Sequence, residues 1–203
     1  MLLYCQNDNN CREYKSKNFK MNIIKKSIFV LIFSSIAFST NAACKFDLEF
    51  GDDASKVLEK YGPPIPMPTL PGLTFLPVPA NNICPEQRLN EVAVEYRFLN
   101  NKMAAINLRA LNDESNSVSD KLTLMKYAKK VYGNFDTGQN PKSYIGYNIF
   151  EKPNYFVVYQ KMQGGDDAIL DEQIYISTTE YDDLLSKYFM KLEEQQAEDM
   201  SGN

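Results

Sequence analysis

Histidine and tryptophan are both absent from this chain of 203 residues. Without His it lacks the side chain that ordinarily titrates near neutral pH, and the commonest metal ligand is gone. Neither a Ser-His-Asp nor a Cys-His nucleophilic site can be assembled from it. The missing Trp removes a favoured platform for stacking sugars, although Tyr can take that role. Long apolar runs are also absent. The longest, Ile28 to Phe38, falls short of the roughly 20 residues that span a bilayer as a helix.

That short run sits in a recognisable setting. From Met21 the chain reads MNIIKKSIFVLIFSSIAFSTNAAC, with Lys25 and Lys26, then the apolar stretch, then small and polar residues to Ala42 and Ala43. This is the three-part layout of a secretory signal peptide. The expected cut follows Ala42, with Thr40 three positions before the cleaved bond. Residues 1–20 look unlike a signal start, so Met21 is the expected initiator. The protein would then be periplasmic or secreted, in a bacterial envelope, with no stable membrane span after cleavage. A retained signal-anchor is one alternative. Another is lipid attachment at Cys44, because Asn41-Ala42-Ala43-Cys44 resembles a lipoprotein box in its two alanines but not at Asn41.

Residues 43–203 carry 16 Lys plus Arg against 24 Asp plus Glu, a net charge of −8. Nucleic acid binds proteins by releasing counterions to basic patches, so it is not an expected partner. Two cysteines remain, Cys44 and Cys84, and in an oxidising compartment an even pair reads as a disulfide. Two separate buried thiols are the other possibility. With both cysteines bonded, a thiolate zinc cluster is excluded. The bond would enclose residues 60–84 of KYGPPIPMPTLPGLTFLPVPANNICPEQ (60–87), a segment in which eight of the ten prolines lie between Pro63 and Pro85. Proline fixes φ and biases its neighbours toward extended backbone, so this segment reads as a stapled loop and not a free linker.

The remaining patterns predict an α+β fold with helices packed on an antiparallel sheet. Asp52 and Asp53 can cap a helix that carries Ala54, Val57, Leu58 and Tyr61 on one stripe and stops at Gly62-Pro63. A hairpin follows: EVAVEYRF (91–98), the turn LNNK, and MAAINLRAL (103–111). After the polar break 112–120, a second helix runs from about Asp120 to Tyr132 and halts at Gly133. A second hairpin comprises residues 143–150 and 154–162, turned at EKPN. Helix then hairpin thus occurs twice, giving possible units 46–111 and 118–176 within a single domain, 43–192. A further strand ends near Ser177. Ser177 with Glu180 forms a capping box for a helix carrying Tyr181, Leu184, Leu185, Tyr188, Phe189 and Leu192. Residues 193–203 read as an acidic disordered tail.

FGDDASKVLEKYGPP, followed by a hairpin containing EYRFLNNKMAAI, resembles the helix-and-hairpin unit of the SmpA/OmlA and beta-lactamase-inhibitor-protein-like superfamily. The resemblance covers about residues 46–110, with an echo at 118–162. It implies an exported bacterial protein with helices on an antiparallel sheet, of a kind that often binds other proteins. It assigns no functional residue.

Chemistry is left to carboxylates: Asp52-Asp53, Asp113-Glu114, Asp166-Asp167, Asp171-Glu172 and Asp182-Asp183. Neighbours on a strand point to opposite faces, so these doublets read as solvated caps and turns more readily than as a hydrolase's acid pair. Gly164-Gly165-Asp166-Asp167 suits a hairpin turn. A calcium site using Asp166, Asp167 and Asp171 lacks the spacing of an EF-hand loop. No catalytic residue, metal or cofactor is assigned. The expected function is non-enzymatic binding of an exported protein, as an inhibitor or assembly accessory. Leu73, Phe75 and Leu76 of the proline segment are the candidate anchors, unless they cover the protein's own sheet. A carboxylate-dependent hydrolase and a lipid-anchored envelope protein are the alternatives.

Overall fold

The computed structural model describes residues 43–67, 70–117, 119–135, 145–163 and 170–201. The chain divides into Met1–Thr40 and Asn41–Asn203, and the architecture below is that of the second unit. The signal segment, the GGDD turn and part of the proposed calcium set lie outside the described residues.

The fold is α+β, built on a seven-stranded sheet in which every pairing is antiparallel. In chain order the elements are α1 (Ser55–Tyr61), β1 (Ile65–Pro66), β2 (Leu73–Pro79), α2 (Ala80–Ile83), β3 (Val92–Leu99), β4 (Lys102–Ala110), α3 (Thr123–Tyr132), β5 (Gly146–Glu151), β6 (Phe156–Gln163), β7 (Leu170–Ser177) and α4 (Thr179–Ser201). Across the sheet the order is β1-β2-β3-β4-β7-β6-β5. Strands β4 and β7, distant in sequence, therefore meet at the centre.

Local chemistry explains most of these elements. The β3–β4 turn needs positive φ at both central residues, and Asn100 and Asn101 supply it at 50° and 67°. Val92, Val94, Tyr96 and Phe98 alternate onto the buried face of β3. Helices α1 and α3 each end in Tyr-Gly, with Gly62 and Gly133 at φ 88° and 120°, values that L side chains rarely adopt.

The proline segment does not form a loop throughout. Its middle is strand β2, paired along its length with β3 from Leu73 opposite Leu99 to Pro79 opposite Ala93. Pro77 and Pro79 share one parity, so both nitrogens can point away from β3. On that side β1 pairs only with Thr74 and Phe75, and no ladder donor is needed beyond them.

Three further readings change. The helix expected from Asp120 begins as a 3-10 turn, Asp120–Leu122, before α3 proper. The acidic run from Glu193, expected to be disordered, continues α4 to Ser201. Glu, Gln, Ala and Met favour helix, and extending an existing helix avoids the cost of nucleation. The cap of α4 is Thr178, whose Oγ1 accepts the Tyr181 N–H at 3.2 Å. Ser177 is fully buried and donates to the Ala104 carbonyl at 2.7 Å. That carbonyl belongs to an irregularity in β4: the register slips between Arg97 and Phe98, leaving Ala104 without an opposite residue.

One face of the sheet holds the main core. Leu76, Val78, Val94, Tyr96, Phe98, Ile106, Leu108, Val157, Tyr159, Ile174 and Ile176 cluster there with Val57 of α1 and with Leu124, Met125, Tyr127 and Ala128 of α3. Cys44 and Leu48 of the N-terminal segment join the same cluster, with Phe46 and Phe50 packed against it. A disulfide links Cys44 to Cys84, with Cα atoms 5.3 Å apart, and the Cys44 N–H donates to the Tyr127 hydroxyl at 2.9 Å. A second cluster contains Leu73, Leu99, Ala104, Ala105 and Leu185 of α4, with Phe75, Tyr175, Tyr181 and Tyr188 against it.

Candidate interaction surface

The proposed anchors of the proline segment turn inward. Leu73 and Leu76 are each 3 % exposed and belong to the two apolar clusters. Phe75 is half-buried beneath the Arg97 guanidinium, 6.0 Å from its ring centre. Strand alternation sends Leu76 to one face and its neighbours to the other, so these three side chains cannot form one exposed edge. They cover the protein's own sheet.

The large exposed apolar side chains that do line up lie at the other end of the sheet. Ile145, just before β5, and Tyr147 and Ile149 within it are 59 %, 66 % and 53 % exposed. A spacing of two places Tyr147 and Ile149 on one face of the strand, with Ile145 exposed just ahead of them. β5 is the last strand in the sheet order, so among the described residues no strand pairs with its outer edge. On β6, Val158 pairs with Ile149 and Phe156 with Glu151, extending the same face inward.

This apolar line runs into a cleft of about 890 Å³ at the β5–β6 turn. Phe50, Ile149, Tyr155, Phe156, Val158 and Tyr181 form its apolar walls. Phe50 and Tyr181 stack with ring centres 6.5 Å apart. Gly51 lets them approach: a Cβ there would collide with the Tyr181 hydroxyl, and its φ of 87° also favours glycine. An adjoining cavity of about 580 Å³ shares Phe50, Asn154, Tyr155 and Thr178 and reaches Phe46, Leu48 and Tyr132. The first cleft carries Glu151, Glu180 and Asp182 against Lys152, so its ionisable groups are net negative. Asp182 is anchored by the Tyr175 hydroxyl at 2.8 Å. Burial and that bond to a carboxylate both push the Tyr175 phenol well above its ordinary value, so it stays a donor.

The carboxylate doublets divide by role. Asp52 accepts the Glu49 N–H at 3.0 Å and pairs with Lys56; Asp53 accepts Ser55 N–H at 3.0 Å and the Asn101 amide at 2.8 Å. Asp113 accepts Ser115 N–H at 2.8 Å. Each of these three is held below its usual value, by the Lys56 ammonium at Asp52, the Ser55 amide at Asp53 and the Ser115 hydroxyl at Asp113. They are turn and cap residues.

Glu172 is different, and corrects the reading of Asp171-Glu172 as a solvated doublet. It is 0 % exposed, on the core face of β7. Its Oε1 accepts the Met125 N–H at 2.6 Å and the Tyr159 hydroxyl at 2.9 Å, and Oε2 accepts the Leu124 N–H at 3.1 Å. Burial outweighs these donors and raises it to about 7. A carboxyl poised there would suit a general acid, but Glu172 is fully buried and lines neither of these clefts. Among the described residues no group of three His, Cys, Asp or Glu side chains is placed to hold a metal. No described helix is long and apolar enough to cross a membrane.

The apolar alternation of SYIGYNIF was visible in the sequence, but not which of its faces lacks a cover. Nothing in the local pattern signalled the cleft, because its walls come from segments about 100 residues apart.

Compared with family models, curated proteins and solved structures, the chain matches none of them.

Proposed function

We propose that this chain is an exported envelope protein, periplasmic or secreted, that holds a protein partner and performs no catalysis. The observation that carries this reading is the exposed pair Tyr147 and Ile149 on a terminal strand, preceded by exposed Ile145 and continuing into an aromatic cleft with an acidic rim. Such an edge offers backbone donors and acceptors to an added strand, and the alternating apolar side chains give it a preferred face. The occupant is an extended segment of another exported protein, apolar at alternate positions. A Lys or Arg at one end would meet Glu151, Glu180 and Asp182. An inhibitor or an assembly accessory would work in this way.

Other features support the same reading. The resemblance of FGDDASKVLEKYGPP to the SmpA/OmlA and beta-lactamase-inhibitor-protein-like group implies an exported partner-binder. The Cys44–Cys84 bond weighs against lipid anchoring, since one sulfur cannot carry both attachments. Two helix-hairpin units remain our reading of the architecture. The shared Tyr-Gly helix ends support it, as does a sheet in which β3 and β2 flank one side of the β4–β7 pair while β6 and β5 flank the other.

The test is site-specific photo-crosslinking in envelope extract, with the probe at Tyr147 and a control probe at exposed Lys187 on α4. A discrete adduct from Tyr147 alone, lost when Ile149→Asp is added, is expected. No adduct, or the same products from both positions, would refute the surface. A self-adduct would replace the partner with a second copy. Export is checked separately by mass spectrometry of the mature N-terminus, expected at Ala43; a chain still carrying Met21, or a lipid on Cys44, would overturn it.

A further inference from the structure

Glu172 is the most deeply placed acid among the described residues, and its surroundings join three elements. It stands on β7, accepts from the first turn of α3 through Leu124 and Met125, and accepts from Tyr159 on β6. Its cross-strand partner on β6 is Lys161, likewise 0 % exposed. Lys129 of α3 lies close enough to act on Lys161. An aromatic layer follows, with Phe135 5.1 Å from Tyr159 and 5.5 Å from Phe150, measured between ring centres.

We propose that Glu172 is a protonation-controlled latch: in its neutral form it holds the first turn of α3 against β6 and β7, and in its ionised form it loosens that turn.

The direction follows from two opposed effects. Two peptide N–H groups and a phenol favour the ionised carboxylate, whereas complete burial disfavours it. Burial wins, so the closed state holds the proton up to about pH 7. If α3 lifts, Glu172 meets water and returns toward its ordinary 4.5. Between those values closure takes up a proton, and rising pH therefore favours opening. Lys161 is pulled the opposite way, since burial lowers its value while Glu172 resists the lowering. Removing that cation should move the Glu172 titration upward. Below about pH 4.5 both states are protonated at Glu172 and the effect is complete; above about 7 it is spent. The full swing in the opening equilibrium is on the order of 100-fold.

Amide hydrogen exchange of residues 123–132, corrected for the intrinsic rate at each pH, reads this directly. The wild-type chain should lose protection by on the order of 100-fold between pH 4.5 and 8, and Glu172→Gln should lose the pH dependence. Lys161→Met should keep the dependence, with its midpoint displaced upward. Should Glu172→Gln fail to fold, the shifts of the Leu124 and Met125 amides in the unaltered protein serve instead, with a midpoint expected near 7. Flat protection across the range, an unchanged slope in Glu172→Gln, or amide shifts that titrate near 4.5 would each overturn the latch.

Discussion

Opening the Cys44–Cys84 bond is the perturbation whose size can best be worked out beforehand. The linked residues are 40 apart in sequence, so the bond closes a loop of about 41 residues in the unfolded chain. Loop-closure entropy assigns such a cross-link about 4 kcal/mol. The native side adds little correction. Both cysteines are buried beside apolar neighbours, and a thiol is tolerated in such a place as a small hydrophobe. The N-terminal segment has other attachments, including the Cys44 N–H to Tyr127 and the Gly51 N–H to the Met103 carbonyl at 2.8 Å, so the folded ensemble should survive reduction. For a domain of this size, about 4 kcal/mol corresponds to a melting temperature lowered by roughly 10 °C. The assay is urea unfolding followed by circular dichroism, with and without a reductant, beside the Cys44→Ala/Cys84→Ala double variant. Reduced and double-variant proteins should unfold at a common, lower midpoint. An oxidised protein no more stable than the reduced one would refute the loop argument. Two alkylatable thiols in the purified, non-reduced protein would remove its premise.

Three smaller predictions separate internal roles from surface ones. Leu76→Ala should cost about 3 kcal/mol in equilibrium unfolding, because it empties a buried position in the main core; a change below about 0.5 kcal/mol would mean the side chain is not packed there. At the start of α4, Thr178→Ala should cost about 1 kcal/mol as a lost cap. Ser177→Ala should cost about 1–3 kcal/mol, because the Ala104 carbonyl loses its hydroxyl donor in a buried place. Thermal melts rank the two, and a neutral Ser177→Ala would refute the role given to the buried bond from Ser177 to the Ala104 carbonyl.

Much of the backbone plan was legible because it rests on short-range physics. Asn100-Asn101 specify a two-residue turn, Tyr-Gly ends two helices, and period-two alternation from Val92 to Phe98 marks a strand whatever surrounds it. The cysteine pairing was readable for a different reason: residues 43–203 hold two thiols, which allow a single pairing. The proline segment misled because proline weakens a strand only where its missing N–H is needed. Whether it is needed depends on which edge the strand occupies, and no window of sequence contains that.

The chain's own order of residues thus settled its turns, helix ends, alternating faces and charge, each of which depends on neighbours a few positions away. Folding in three dimensions decided the rest. It joined β4 to β7 across more than 60 residues and turned Leu73 and Leu76 into core. It left Tyr147 and Ile149 bare, and sank Glu172 beneath α3 while its neighbour Asp171 stayed partly exposed. Burial is a property of what packs opposite, so identical local patterns acquire opposite fates once distant segments meet.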